Sequence, residues 1–302
     1  MSGPLLLRAR GLELDLSRRP LLMGIVNASA DSFSDGGLHV GVEGQLALAR
    51  ELVAAGARII DIGGESATTG RPPVDAAREI ELVAPLVERV AAELDVLVSV
   101  DTYKPPVARA AIAAGAHIVN DVSGLRDVEL AEICAQTGAA LVVMHTAAPP
   151  RVRRQDEGLY RDVTGAVVEF LRERIATALA HGVAPEQLIV DPGPDFAKTP
   201  QQTIRLLAEL ERLGEFERPI MLAISRKDFI GALTGRAPRE RGAGTLAALE
   251  HGLRHGGRIF RLHDVAAAAD YLKVRDALES GGEGLEGLRL EDAVRHEPRA
   301  GG

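Results

Sequence analysis

Eight short apolar runs, each with a polar residue at or just past its end, recur along the chain and limit what it can fold into. They are Leu21–Asn27, Arg58–Ile62, Val96–Asp101, Ile118–Asp121, Ala140–His145, Leu188–Asp191, Pro219–Ile224 and Ile259–Leu262. Each has the length of one strand and is too short for an ordinary helix. The stretches between them follow helical spacing and are rich in Ala, Leu, Glu and Arg, as in Gly44–Ala55, Val74–Leu94, Pro106–Ala114, Val163–Ala180 and Thr203–Leu213. Strand and helix alternating in this way predict a parallel sheet closed into a TIM (β/α)8 barrel. An open doubly wound sheet usually carries a glycine fingerprint after its first strand, and none stands there. A chain of 302 residues suits one such domain. We expect that domain to span residues 1–281, with residues 282–302, rich in Gly, Glu and Arg, forming a flexible tail. Long loops are expected at Gly63–Pro73 and Thr146–Tyr160.

The net charge of −8 includes no basic block, so nucleic acid and membrane surfaces are not expected partners and a small molecule is. A single cysteine, Cys134, excludes an internal disulfide framework and a cysteine-rich metal site. With no signal-like or membrane-spanning apolar run in residues 1 to 20, the expected location is the reducing cytoplasm.

A barrel of this type builds its active site from residues at the carboxyl ends of its strands. In this chain those ends read Asn27; Asp61 and Glu65; Asp101; Asn120 and Asp121; His145; Asp191; Arg226 and Lys227; Arg261 and His263. One such residue alone is as readily the N-cap of the following helix. A polar terminus on every strand is a site. Asp101, Asn120, Asp191 and Lys227 supply two carboxylates, an amide and an ammonium, the groups needed to read the edge of a flat amide-containing heterocycle such as a pterin. Asn27, Arg261 and His263 form a second set suited to phosphate or pyrophosphate.

These segments, in this order and spacing, resemble the dihydropteroate synthase family. The resemblance runs from about Leu21 to Leu278. It rests on Met23–Gly37, Gly56–Ser66, Val98–Tyr103, Val119–Asp121, Val143–His145, Asp191–Gly193 with Phe196 and Lys198, Ser225–Lys227, and Arg261–Val265. What it implies is a displacement joining the methylene carbon of a dihydropterin pyrophosphate to the amine of 4-aminobenzoate, giving dihydropteroate and pyrophosphate with Mg2+ as cofactor. Carried over by position, Asp101, Asn120, Met144, Asp191 and Lys227 would hold the pterin, and Phe196 and Ser225 the acceptor. Asn27, Arg261 and His263 would hold pyrophosphate, with Asn27 also on the metal. Asp35, Lys227, Arg261 and His263 would be the catalytic set. The resemblance also implies a homodimer.

The chain departs from the family pattern near the acceptor. Where the family reads Ser-Thr-Arg-Pro-Gly, this chain has Ser66-Ala-Thr-Thr-Gly70, and Asp228 replaces a Ser after Lys227. Thr203 stands where an Asn is usual. A carboxylate at position 228 is expected to repel the acceptor's carboxylate by roughly 1 to 4 kcal/mol, depending on the local dielectric. The alternative to a synthase is therefore a pterin-binding paralogue that lacks the activity or uses another acceptor. Two more distant alternatives are a methyl-carrying tetrahydrofolate barrel and a sugar-phosphate barrel, and pterin binding separates the second from the rest.

Overall fold

A strand covered by helices on one side and by the barrel interior on the other has no solvated face, which is why these runs are apolar almost throughout. The computed structural model describes residues 4–28, 41–65, 73–291 and 294–295. A short antiparallel hairpin, β1 (Leu6–Ala9) and β2 (Leu12–Asp15), comes first. The eight barrel strands follow: β3 (Leu21–Asn27), β4 (Ile59–Gly63), β5 (Leu97–Asp101), β6 (Ile118–Asp121), β7 (Ala140–Met144), β8 (Leu188–Asp191), β9 (Ile220–Leu222) and β10 (Gly257–Leu262). They pair in parallel in sequence order, and β10 returns to β3 to close the barrel. The expected TIM (β/α)8 architecture is the observed one.

Helices wrap the barrel: α1 (Gly41–Ala54), α2 (Ala76–Glu93), α3 (Pro105–Ala113), α4 (Glu129–Thr137), α5 (Val163–Ala180), α6 (Pro200–Ala208), α7 (Asp228–Thr234), α8 (Gly242–Arg254) and α9 (Val265–Glu279). In α2, Val83, Leu86, Val87 and Val90 are buried at the spacing of one helical face, and the Asp75 side chain caps the start by accepting from the Arg78 amide at 2.9 Å. The helix expected at Thr203–Leu213 begins earlier and ends sooner. Thr199 and Gln202 form a capping box with Pro200 in the first turn, while Leu210–Phe216 tightens into 3-10 turns. The strand expected at Pro219–Ile224 is cut to Ile220–Leu222, beyond which Ala223 lines the cavity and Ile224 packs in the core.

Successive residues of a strand point to opposite faces, and that period of two builds the interior. At the amino end, Leu21, Met23, Ile59, Leu97, Ile118, Val142, Ile189 and Ile259 form one buried apolar cluster. Two residues further along the same strands stand Ile25, Asp61, Ser99, Asn120, Met144, Asp191 and Arg261. The interior therefore changes from apolar to polar within one pleat repeat. Register keeps the polar ends level, with Asn27 opposite Gly63, Gly63 opposite Asp101, and Asp101 opposite Asn120.

The hairpin has no counterpart among the eight runs, since its partly exposed strands mix apolar with charged residues and leave no unbroken apolar run to read. Leu7, Ala9 and Leu16 belong to the apolar cluster at the amino end of the barrel, so the hairpin plugs that end. Arg10 holds it in place, donating to the carbonyls of Ile112 at 2.9 Å and Ala116 at 3.1 Å. Replacing the fully buried Leu7 with Ala should cost about 2 to 5 kcal/mol, the range for deleting a buried leucine side chain. Urea unfolding followed by far-UV circular dichroism measures it, and a loss under about 1 kcal/mol would mean the hairpin is not part of the cooperative core.

Candidate active site

At the carboxyl end of the strands the interior opens into a cavity of about 380 Å3. Its floor is organised by Asp61 on β4, which is fully buried and so must be paired. One oxygen accepts from Ser99 Oγ at 2.6 Å. The other accepts from Arg261 Nε at 2.6 Å and from Asn120 Nδ2 at 3.2 Å. Arg261 Nη2 then donates to Asp101 at 2.9 Å, so one guanidinium bridges two carboxylates across the barrel. Asn120 Oδ1 is buried and has no protein partner. A buried acceptor without a partner is uncommon in a folded protein and marks Asn120, which lines the cavity, as a candidate ligand contact.

Burial raises the pKa of Asp101, opposed by the Arg261 charge. Burial pushes Asp191 up to about 6, against the pull of the Gly193 amide, Lys227, Lys198 and Arg261. Both carboxyls titrate above the ordinary carboxylate range because burial removes the water that would solvate their charge. Lys227 is shifted down by burial, with Asp195 and Asp191 acting the other way, and its ammonium lies 4.5 Å from the centre of the Phe196 ring. His263 is held down to about 4 by burial and by the charges of Arg226, Arg261 and Lys227. It is a neutral imidazole at pH 7. Ser225 Oγ accepts from the His263 amide and lies 2.9 Å from Nδ1. We assign the Ser225 hydroxyl as the donor to Nδ1, which leaves Nε2 of the neutral ring as an N–H donor.

A second network stands at the cavity mouth. Glu65, just past β4, accepts from Tyr103 Oη at 2.7 Å, the Val74 amide at 2.7 Å and Arg151 Nη1 at 2.6 Å. Burial alone would raise its pKa, but Tyr103, the Val74 amide, Lys104 and Arg151 outweigh that and hold it below the ordinary value. Lys104 also reaches Glu79 at 2.5 Å. The pair Arg151–Glu65 ties the loop after β7 to the end of β4.

Asn27, Asp101, Asn120, Met144, Asp191, Phe196, Ser225, Lys227, Arg261 and His263 all line this one cavity. Asp35, Ala67 and Thr68 lie outside the described residues. The two groups expected from the sequence, a ring edge and an anion pocket, are joined by Arg261 through its bond to Asp101. Asp121 serves the bland role, accepting from the amides of Ser123 at 2.7 Å and Leu125 at 2.6 Å to form the turn after β6. Asp228, expected to repel the acceptor, has its carboxylate 3.4 Å from Arg153 and 3.2 Å from Arg241, two cations that act against that repulsion. Asp61, Glu65, Tyr103 and Arg151 were not assigned roles from the sequence. Asp61 and Glu65 could be seen as strand-end carboxylates, but Arg151 sits in a loop with no motif around it.

Because its folded pKa lies above the unfolded value near 3.8, Asp191 stabilises the ligand-free fold at low pH, and that contribution is lost as pH rises through about 6. Asp191→Asn removes the loss. The melting temperature of the variant relative to the unaltered chain should therefore be higher at about pH 8 than at about pH 5. A difference that does not move with pH would show that Asp191 is not a strained carboxylate.

Comparison with known proteins agrees with this geometry. Residues 23–263 match the family model described as pterin binding enzyme. The dihydropteroate synthase of Escherichia coli K12 is 39% identical over 275 residues, covering 91% of this chain and 97% of the relative. Among solved structures, the dihydropteroate synthase of Xanthomonas albilineans with 4-aminobenzoic acid superposes with a TM-score of 0.84 at 41% identity, over 92% of this chain and 99% of that one. The same enzyme in complex with 7,8-dihydropteroate gives a TM-score of 0.80 at 40% identity, over 90% and 99% of the two chains. With its barrel, its polar rim and these likenesses spanning nearly the whole chain, the protein belongs to the dihydropteroate synthase family of pterin-binding enzymes.

Proposed function

We propose that the chain is a dihydropteroate synthase, condensing (7,8-dihydropterin-6-yl)methyl pyrophosphate with 4-aminobenzoate to give 7,8-dihydropteroate and pyrophosphate in folate biosynthesis. The observation that carries the reading is the cavity itself, which Asn120, with its unpartnered Oδ1, and the carboxylates of Asp101 and Asp191 line together. Acceptors of this kind around one cavity suit the amino group and ring N–H of a pterin, and Lys227 suits its carbonyl. Such a ligand supplies the hydrogen bonds that the raised carboxyl pKa values lack, so its binding favours their charged forms.

In the reaction the bond from the methylene carbon to the pyrophosphate oxygen breaks and a bond to the arylamine nitrogen forms, after which that nitrogen loses a proton to solvent or to the departing pyrophosphate. The chain's own residues contribute by holding both partners in line and by placing donors at the leaving group. Asn27 and the His263 Nε2–H stand on that side of the cavity, and Arg261, with two of its five N–H groups committed to carboxylates, adds positive charge. Phe196, under Lys227, offers an apolar wall for the acceptor ring. Among the described residues no three of His, Cys, Asp and Glu gather in a metal-binding group. Asn27 lines the cavity and offers an amide oxygen, a hard donor of the kind Mg2+ takes, and would hold the ion beside the leaving group. When bound, it neutralises charge on the leaving group. Asp35 remains assigned to catalysis through the family likeness, which also supports a homodimer. The buried free thiol of Cys134 suits the reducing cytoplasm, and among the described residues no helix is long and apolar enough to cross a membrane.

Incubation with the dihydropterin pyrophosphate, Mg2+ and 4-aminobenzoate, with dihydropteroate quantified by chromatography, tests the reading. Pyrophosphate release with no dihydropteroate formed would favour the paralogue instead. Because Arg153 and Arg241 already offset Asp228, Asp228→Ser should leave the KM for 4-aminobenzoate within about threefold, a change worth well under 1 kcal/mol. A tenfold fall in KM that fades as salt is added would restore the repulsion expected from the sequence.

A further inference from the structure

Two residues that the family likeness singles out, His145 and Lys198, have no place in the mechanism above. Neither lines the cavity. Lys198 is wholly buried and His145 nearly so. The Lys198 ammonium has three N–H groups and three acceptors: His145 Nδ1 at 2.8 Å, the Gly193 carbonyl at 2.9 Å and the Phe196 carbonyl at 3.0 Å. Every donor is used, so this lysine binds nothing further and acts only through the groups it holds. Burial and the Lys198 charge keep His145 down to about 2, a neutral ring whose Nδ1 is free to accept. The ring is fixed in turn by an edge-to-face contact with Phe170, centroids 4.9 Å apart.

The segment so held is a strained turn. Gly193, Asp195 and Ala197 have φ of +64°, +66° and +50°, and two of the three are not glycine. A Cβ on Gly193 would lie 2.1 Å from the His145 carbonyl oxygen, so the turn is pressed against the end of β7. Both of its ends serve the cavity. The Gly193 amide donates to Asp191 Oδ1 at 2.7 Å, and Phe196 presents the ring under Lys227.

We propose that Lys198, braced by His145, is a positioning residue that clamps the turn from Gly193 to Ala197 and thereby sets both the Asp191 carboxylate and the Phe196 ring. The backbone ladder already joins β7 and β8 as far as Met144 and Asp191, with the His145 amide donating to the Asp191 carbonyl at 2.9 Å, and the clamp adds a charge-assisted bond that holds the left-handed residues beyond it. The proposal rests on the synthase reading for its ligand measurement and on the turn alone for its backbone measurement.

The test compares Lys198→Met, His145→Leu and His145→Asn, each well below its own melting temperature. Asn places an amide oxygen near the position of Nδ1 and keeps the acceptor. Titration calorimetry with 6-hydroxymethyl-7,8-dihydropterin should show affinity at least tenfold weaker in Lys198→Met and His145→Leu, and within threefold of the unaltered chain in His145→Asn. Hydrogen exchange of the peptide spanning residues 191–199 should be at least tenfold faster in the first two and restored in the third, with barrel-strand peptides unchanged. If Lys198→Met does not fold, the contrast between Leu and Asn at position 145 decides. Equal affinity and equal exchange in those two variants would overturn the clamp. If the unaltered chain binds no pterin, the synthase reading falls, and the exchange contrast still judges Lys198.

Discussion

An ionised carboxylate with no access to water must be surrounded by donors, and the site of this protein grows from one such group. Asp61 on β4 gathers Ser99 of β5, Asn120 of β6 and Arg261 of β10, so a single side chain ties four strands together. Breaking a buried pair of this kind by removing one partner costs about 3 to 5 kcal/mol, because the remaining charge is stranded. Asp61 thus fixes Arg261, and Arg261 fixes Asp101. These bonds are made within the chain itself, and the Asn120 oxygen is left buried without a protein donor.

The same logic of paired charge explains how departures from the family pattern can be carried. Asp228 introduces a negative charge close to the cavity, yet Arg153 and Arg241 stand beside it, and Arg241 also holds the carbonyls of Arg226 and Lys227 in the turn that aims the lysine. Thr203, in place of the usual Asn, bonds Asp195 Oδ1 at 3.0 Å, and the other Asp195 oxygen takes the Asp228 amide. Positions 203 and 228 therefore meet at a common partner, the first through its side chain and the second through its backbone amide. On the opposite rim Arg151 brings a cation to Glu65.

Much of the scaffold was legible because two periodicities are local. Runs such as Ile118–Asp121 and Leu188–Asp191 coincide with strands to the residue, since burial on both faces forces an unbroken apolar pattern. Boundaries failed where capping chemistry overrides pattern, as at Thr199 and Pro200. The amino-terminal hairpin escaped notice because its identity depends on what it covers.

Residue type and order along the chain determined the barrel, the rim on which polar groups collect and the family to which they belong, because alternation, strand length and motif spacing are properties of neighbouring residues. Which polar groups touch was decided only by closure of the barrel. Asp61 and Arg261 are 200 positions apart in sequence and 2.6 Å apart in space, and no local pattern says that one carboxylate will take the arginine while Asp121 turns away to cap a loop. The pairing of Lys198 with His145, and of Asp228 with Arg153 and Arg241, depends likewise on loops meeting over the barrel mouth. Desolvation follows from that packing, and it is the largest cause of the shifted proton affinities of Asp191 and His263.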